Sequence, residues 1–179
     1  MSAPSAPERA ELAPGLSISR IVTGLWQVAD MERSGEALDP DRAATDLAAY
    51  AGAGFDTFDM ADHYGSAELI TGRFNRLLAE GKVKLRDGAR PSAFTKWCPE
   101  PGPMTQEVVR AAVDRARERM QVDCIDLLQF HWWSFRHPAW LDAMHELQRL
   151  RDEGLIRHLG TTNFDTDHLH VLAREGLSG

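Results

Sequence analysis

The feature that most constrains the fold is an alternation of strand-like and helix-like segments, repeated five times along the chain in units of roughly thirty residues. Short apolar runs predict the strands, and apolar residues spaced three and four apart predict the helices. The predicted strands are 16–26 (a hairpin feeding a first strand), 55–61, 93–97, 124–133 and 155–164. The predicted helices are 39–54, 66–82, 105–121, 139–154 and 165–176. The alternation predicts parallel strands with helices outside them, in either an open sheet or a barrel.

Polar residues at the ends of the predicted strands favour the barrel. At or just past the C-terminal ends of the second to fifth strands lie Asp59, Lys96, His131 and Asn163. In a closed (β/α)8 barrel those ends converge on one site at the mouth, whereas an open sheet would spread them along an edge. A complete barrel has eight strands in about 250 residues, and this chain has 179 residues. The predicted fold class is therefore α/β, of the (β/α)8 TIM-barrel type, truncated to about the first five βα units.

The composition of the chain limits the kinds of partner it can bind and indicates the cellular compartment it works in. Residues 1–14 are rich in Ala, Pro and Ser and predict a loose N-terminal tail, so the barrel part is expected over residues 15–179. A formal net charge of −7 argues against nucleic acid and anionic membrane surfaces as partners. No apolar run is long enough for a membrane helix. Cys98 and Cys124 fit neither a disulfide framework nor a zinc site, which predicts free thiols in a reducing cytoplasm and no metal centre.

Five motifs together resemble the aldo-keto reductase superfamily. The family's acid and tyrosine, separated by four residues after the second strand, match DMADHYG (59–65). Its lysine at the end of the third strand and its histidine at the end of the fourth match TKW (95–97) and LLQFHWW (127–133). Its Ser/Thr-Asn pair matches GTTNF (160–164), and its opening Gly-x-Trp segment is similar to GLWQ (24–27). The resemblance covers nearly all of the chain.

This resemblance implies a (β/α)8 barrel that reduces an aldehyde or ketone to an alcohol, or runs the reverse reaction, with NADPH more expected than NADH. It implies that Tyr64 is the general acid and that Lys96 and Asp59 support it. It implies that His131 orients the carbonyl. The implied partner is a small-molecule carbonyl or alcohol.

The resemblance also assigns positions that contact the cofactor and the substrate. Thr162 and Asn163 match positions that contact the nicotinamide carboxamide. The expected cofactor-binding set is Gly24, Trp26, Asp59, Thr162 and Asn163. Large aromatic residues at the strand ends could wall a substrate pocket or simply close the core. The expected pocket residues are Trp26, Trp97 and Trp132.

Carbonyl reduction needs residue types of this kind. Hydride transfer to a carbonyl makes an alkoxide, which needs a proton or a strong donor as its charge develops. A tyrosine has an ordinary pKa of about 10, and a neighbouring ammonium is expected to lower it. A carboxylate keeps a partly buried lysine charged. Asp59, Lys96 and Tyr64 are therefore expected to work as one unit, with Asp59 carried to the barrel mouth by its strand.

Part of the family's machinery lies outside this chain. Family members bind the adenosine and phosphate end of NADPH largely through loops after the last strands, and they stack an aromatic residue of the seventh strand on the nicotinamide. The chain reaches residue 179 before a sixth predicted strand. We therefore expect a fragment of a longer protein, a complementary chain that supplies the missing C-terminal half, or a protein that is no longer catalytic.

Other interpretations of the same residues remain open from the sequence. Taken singly, Asp59 could cap a turn, Tyr64 could be a rim aromatic and His131 could be a core histidine. The main alternative function is a non-catalytic relative that acts as a regulatory or binding subunit. A second alternative is a barrel lyase or hydrolase that uses Lys96 as a Schiff-base amine.

Overall fold

The computed structural model describes residues 6–36, 38–86 and 90–177, which form two sheets, with helices packed against one face of the larger sheet. The strands are β1 (Arg9–Ala13), β2 (Leu16–Ser19), β3 (Thr23–Gly24), β4 (Thr57–Asp59), β5 (Ser92–Trp97), β6 (Ile125–His131) and β7 (Ile156–Thr162). The helices are α1 (Trp26–Arg33), α2 (Pro40–Gly52), α3 (Ala67–Ala79), α4 (Gln106–Met120), α5 (Trp140–Asp152) and α6 (Thr166–Arg174). Within the described residues, no helix is both long and apolar enough to cross a membrane.

The main sheet is parallel and follows the order of the chain. Its strands pair in the order β3, β4, β5, β6, β7, so each strand lies beside the one that precedes it in sequence. At least one helix lies between successive strands from β3 onward, as in consecutive βα units. The predicted alternation is confirmed, and the sheet has the architecture of the first five units of a (β/α)8 barrel. In the described residues the sheet does not close on itself.

Alternation of side chains along each strand separates an apolar layer from a mixed face. In β6, Leu128 and Phe130 are buried toward the helices, whereas Gln129 and His131 point to the other face and are half-buried. Adjacent residues of a strand point to opposite sides, so this pattern follows directly from the backbone. The main core lies between the sheet and its helices. Its largest fully buried side chains include Trp132, Phe58, Phe74, Phe130, Met60, Ile70, Met120 and Ile125.

Helix boundaries follow the chemistry of their first residues. Asp39 caps α2 by accepting a hydrogen bond from the backbone N–H of Asp41, with Pro40 at the first helical position. Thr105 caps α4 by accepting from the N–H of Val108. Helix α1 was not predicted; it begins at Trp26, immediately after β3, without a side-chain cap. A helix this short without a capping signal leaves little trace in the sequence.

The prediction of a loose tail over residues 1–14 is wrong for Arg9–Ala13. These residues form β1, which pairs antiparallel with β2 through a turn in which Gly15 has a φ of 75°. The guanidinium of Arg9 binds both carboxylate oxygens of the buried Asp56 at 3.0 Å, just before β4 begins. A segment rich in Ala, Pro and Ser gave no sign of this strand, because the strand is held in place by an ion pair with a residue distant in the sequence. Residues 1–5 lie outside the described residues.

The close approach of α3 and α4 depends on Gly72. A Cβ atom at this position would lie 2.1 Å from the backbone oxygen of Arg119, and backbone cannot move aside as a side chain can. Gly72→Ala is therefore expected to lower the free energy of unfolding by about 1–3 kcal/mol or more. Gly52→Ala is the matched control, because Gly52 ends helix α2 and a Cβ there would have its nearest neighbour, the backbone oxygen of Lys84, at 3.7 Å.

Urea denaturation of both variants measures the difference. The control variant is expected to be neutral or to gain up to about 1 kcal/mol from improved helix propensity. If the Gly72→Ala variant were as stable as the wild-type chain, helices α3 and α4 would be able to move apart and accommodate the added Cβ without a loss of stability.

Candidate active site

Four of the predicted site residues lie at one end of the parallel sheet. Asp59 ends β4 and His131 ends β6, whereas Lys96 is one residue before the end of β5 and Asn163 is one residue after the end of β7. Parallel strands bring their C-terminal ends to the same edge, which explains why residues so distant in sequence meet. The predicted positions at the strand ends are confirmed.

Asp59 and Lys96 form an ion pair on neighbouring strands. Lys96 Nζ lies 2.5 Å from Asp59 Oδ2 and also donates to the backbone oxygen of Met60 at 3.0 Å. The other carboxylate oxygen of Asp59 accepts from Gln129 Nε2 at 3.2 Å. Gln129 was missed from the sequence, although a polar residue facing the same side as His131 in an otherwise apolar strand was the available signal. Lys96 Nζ is thus engaged by two acceptors, an arrangement that disfavours a Schiff-base role.

Tyr64 packs beside this ion pair in the turn between β4 and α3. Its ring meets the Trp26 ring edge-on at 4.7 Å, and Lys96 Nζ lies 5.3 Å from its ring centroid. Burial raises the pKa of Tyr64, and the charges of Asp59 and Cys98 raise it further. The predicted lowering by Lys96 is not found here, because the ammonium donates to Asp59 and Met60 instead. Tyr64 is therefore protonated at neutral pH, the state that a proton donor requires.

A buried network holds the turn that carries Tyr64. The guanidinium of Arg119 donates to the backbone oxygens of Asp62 at 3.1 Å and Gly65 at 2.9 Å. It also lies 3.2 Å from the carboxylate of Glu68, which is 1% exposed and accepts from Thr95 at 2.6 Å. Burial raises the pKa of Glu68, while Thr95 and Arg119 act to lower it. Sequence reasoning missed this network because its members belong to three different elements.

His131 lies between an aromatic ring and a thiol. Its ring centroid is 4.2 Å from that of Trp133, and its Nδ1 is 3.5 Å from Cys98 Sγ. Burial, and then the charges of His63 and Lys96, lower the pKa of His131, so the ring is neutral near pH 7. Burial raises the pKa of Cys98 to about 12, so the thiol stays protonated. A thiol donating to Nδ1 places the imidazole proton on Nε2, where it can be donated to a substrate oxygen.

The pocket prediction is wrong for Trp97 and Trp132. Trp97 is 5% exposed and Trp132 is fully buried, and both pack against Phe130 in the core. Each directly follows a residue that faces the site, so each must point the opposite way, toward the helices. Trp26 and Trp133, 38% and 49% exposed, are the tryptophans on the side of the site.

The residues expected to contact a nicotinamide lie around the same strand ends. Gly24 pairs in register with Asp59, and a Cβ at Gly24 would meet no atom within 4 Å. Asn163 has a φ of 65°, and its Nδ2 donates to the backbone oxygen of Trp132 at 2.6 Å. That bond uses the amide nitrogen and leaves the side-chain oxygen to accept a hydrogen bond from a carboxamide. Thr162 is half-buried beside His131. These groups fit the nicotinamide end of a dinucleotide.

One grouping of potential metal ligands was not predicted from the sequence. Among the described residues, potential ligand atoms of Asp62, His63 and Cys98 all lie within 4.8 Å of one another. Asp62 and His63 follow β4, and Cys98 directly follows β5, so pairing of these two strands brings them together. The sequence search missed the cluster because its ligands are separated by 35 residues and match no regular spacing.

Comparison with known proteins agrees with this geometry. The family model described as the aldo/keto reductase family matches residues 20–177. The chain belongs to the aldo/keto reductase family. The match includes each strand of the parallel sheet and all the candidate site residues, so the resemblance read from the motifs is confirmed.

Curated members of the aldo/keto reductase family are about 30% identical to this chain over the aligned residues. An aldo-keto reductase of Mycobacterium sp. (strain JLS) is 30% identical over 162 residues, which make up 90% of this chain and 51% of that protein. A 6-dehydroglucose reductase of Novosphingobium aromaticivorans is 30% identical over 88% of this chain and 52% of its own length. The chain thus spans about half the length of the curated relatives it matches.

Solved structures show the same fold. An aldo-keto reductase of Bombyx mori in complex with NADP superposes with a TM-score of 0.70 at 20% identity, over 96% of this chain and 55% of that one. A thermostable aldo-keto reductase in complex with the inhibitor epalrestat superposes with a TM-score of 0.71 at 19% identity, over 93% of this chain and 58% of that one. At these identities the likeness concerns the fold, and the five units of this chain overlay about half of each barrel.

Proposed function

We propose that this protein is an NADPH-dependent oxidoreductase that reduces an aldehyde or ketone to an alcohol, or catalyses the reverse oxidation. The observation that carries the proposal is the ion pair of Lys96 and Asp59 packed beside a protonated Tyr64 at the end of the parallel sheet. Membership of the aldo/keto reductase family supports the reaction class.

Each site residue has a defined task in this proposal. NADPH, when bound, supplies the hydride. Tyr64 gives its hydroxyl proton to the substrate oxygen as that oxygen becomes an alkoxide. The ammonium of Lys96, 5.3 Å from the Tyr64 ring, stabilises the tyrosinate that results, and Asp59 keeps Lys96 charged and in place. Neutral His131 donates from Nε2 to the same substrate oxygen and fixes its direction.

The nicotinamide end of the cofactor is assigned to the strand ends. We assign it to Gly24, Trp26, Asp59, Thr162 and Asn163, through the open surface over Gly24 and the available amide oxygen of Asn163. The preference for NADPH over NADH rests on the family and on the relative solved with NADP. The two half-buried free thiols support a reducing cytoplasmic location.

The face of the sheet opposite the helices needs a further partner. Leu12 is 53% exposed and Val22 is 37% exposed, and they border Phe94 and Leu127 on this face. Leaving such apolar side chains in water is unfavourable, since their burial stabilises by about 25 cal/mol per Å². We propose that a second half-barrel, from a longer form of the protein or from a complementary chain, covers this face and supplies the rest of the cofactor site.

Cofactor titration tests the proposal first. NADPH and NADH are added to the purified chain, and quenching of tryptophan fluorescence is followed, because Trp26 and Trp133 border the site. We expect saturable binding of NADPH, tighter than that of NADH, in any form of the protein that includes the second half-barrel. The same form should oxidise NADPH when small aldehydes are added. Saturable NADPH binding without reduction of any carbonyl in a broad panel would contradict the proposed reaction and favour a binding or regulatory role.

A further inference from the structure

A compact set of sulfur, nitrogen and oxygen donors lies beside the site described above. His63 Nδ1 is 3.1 Å from Asp62 Oδ1, and Asp62 Oδ2 accepts from the backbone N–H of Cys98 at 3.3 Å. Ligand atoms of these three residues lie within 4.8 Å of one another. Asp62 and His63 have no task in the proposed reaction, and Cys98 bears on it only through its contact with His131.

The chain holds these donors in fixed relation. Arg119 binds the backbone oxygen of Asp62, and the indole N–H of Trp133 donates to the backbone oxygen of Cys98 at 3.5 Å. The backbone N–H of Cys98 also donates a hydrogen bond to the Asp62 carboxylate, which holds these two ligands close to each other. The His63 side chain is 36% exposed, and its ring lies beside those of Tyr64 and Trp133.

The donor types select the class of cation. One thiolate, one imidazole and one carboxylate suit Zn²⁺ and other borderline-soft metals, whereas Mg²⁺ and Ca²⁺ prefer oxygen ligands alone. Tetrahedral zinc has bonds of about 2.0–2.3 Å, which place its ligands roughly 3.3–3.8 Å apart. Separations within 4.8 Å are therefore within about 1 Å of the spacing that zinc requires.

We propose that Asp62, His63 and Cys98 bind Zn²⁺ at the mouth of the sheet, with water in the fourth position. The thiol of Cys98 loses its proton to solvent when the zinc–sulfur bond forms, as metal–thiolate ligation requires. Three protein ligands and one open position match the coordination of catalytic zinc sites and differ from the closed four-ligand structural sites.

Zinc bound here would block carbonyl reduction, a consequence that rests on the proposed function. Cys98 Sγ lies 3.5 Å from His131 Nδ1, so ligation removes the hydrogen bond that orients the imidazole. His63 also contacts the Tyr64 ring, with centroids 4.9 Å apart. The ion would therefore lie next to Tyr64 and His131, the two groups that donate to the substrate oxygen.

Cobalt(II) substitution tests the binding site without any assay of catalysis. The untagged chain, kept free of thiol reductants, is titrated with Co²⁺, and the near-ultraviolet charge-transfer absorption of a cobalt–thiolate bond is recorded. We expect one Co²⁺ per chain, displaced by Zn²⁺ and not by Mg²⁺. Cys98→Ser should abolish the absorption, and His63→Gln should weaken binding by more than about tenfold.

The second cysteine gives a matched control. Cys124 is also a half-buried free thiol, and its sulfur faces the backbone oxygen of Ile125 at 3.7 Å, away from the cluster. Cys124→Ser should bind Co²⁺ like the wild-type chain. Equal absorption from the Cys98→Ser and wild-type proteins, or absence of a thiolate band in the wild-type protein, would overturn the site. The exposed His63→Gln variant keeps the test valid even where Cys98→Ser lowers stability.

Inhibition of carbonyl reduction by Zn²⁺ is measured in a separate experiment, so that failure of the proposed metal site can be distinguished from failure of the proposed reductase function. In a form that reduces carbonyls, Zn²⁺ should lower the rate of the wild-type and Cys124→Ser proteins and leave Cys98→Ser unaffected. Undiminished turnover with the site fully loaded would overturn the inhibitory role. A cobalt–thiolate band in a protein that reduces no carbonyl would support the metal site and count against the proposed reductase function alone.

Discussion

Replacing Tyr64 with phenylalanine is expected to lower the rate of carbonyl reduction by about 10²–10⁴-fold, the usual contribution of a positioned general acid. The variant removes one oxygen and its proton and keeps the ring. The ring contacts with Trp26 at 4.7 Å and with Lys96 Nζ at 5.3 Å are therefore retained. Cofactor affinity and the melting temperature should stay close to those of the wild-type protein, because the loss concerns proton transfer. Single-turnover kinetics under saturating NADPH measures the chemical step directly.

The other tyrosine of the chain supplies the control. Tyr50 lies in the last turn of α2 and is 53% exposed. Tyr50→Phe should leave rate, affinity and stability unchanged. If Tyr64→Phe reduced carbonyls as fast as Tyr50→Phe, another group would have to supply the proton, and the role assigned to Tyr64 would be wrong.

The fold was predictable because periodicity and strand ends depend on local sequence. The period of two in CIDLLQFHWW and the period of three to four in TQEVVRAAVDRARERMQ follow from backbone geometry alone. The same regularity placed Asp59, Lys96 and His131 at strand ends, and parallel pairing then brought them to one edge. The alternation of side chains along a strand also predicts that Trp97 and Trp132 point into the core, since each follows a residue that faces the site.

The parts that were missed depend on contacts between distant segments. Arg119 supports the Tyr64 turn across 57 and 54 positions of sequence, and Arg9 binds Asp56 across 47. No local pattern specifies such pairs, because they exist only after the helices and the hairpin have packed. The cluster of Asp62 and Cys98 is of the same kind.

The pKa of Tyr64 shows why residue types alone do not give electrostatics. A lysine near a phenol lowers its pKa only when the ammonium outweighs burial and nearby negative charge. Here the hydrogen bonds of Lys96 go to Asp59 and Met60, and burial together with Asp59 raises the pKa of Tyr64. The direction of those bonds is a property of the folded site, and the sequence contains no sign of it.

Replacing Lys96 with methionine is expected to have the second large effect. The side chain keeps its approximate length and loses its charge, so the tyrosinate formed during reduction has no ammonium to stabilise it. Loss of one preorganised electrostatic group costs about 10²–10³-fold in rate. Asp59, whose side chain is 32% exposed, also loses its cation and keeps the hydrogen bond from Gln129. The free energy of unfolding should fall by about 1–2 kcal/mol, a value kept modest because water still reaches the carboxylate.

A surface lysine and a double variant separate the chemical role of Lys96 from its structural role. Lys82 is 64% exposed and pairs with Glu80, so Lys82→Met should change stability by less than about 1 kcal/mol and leave the rate unchanged. Combining Lys96→Met with Asp59→Asn removes the unpaired carboxylate and should recover part of the lost stability, as measured by a double-mutant cycle in urea. Because the amide cannot replace the ammonium, the rate should remain at the level of Lys96→Met. Recovery of the rate together with the stability would mean that Lys96 only holds the strand ends together, and that Tyr64 transfers its proton without help from its charge.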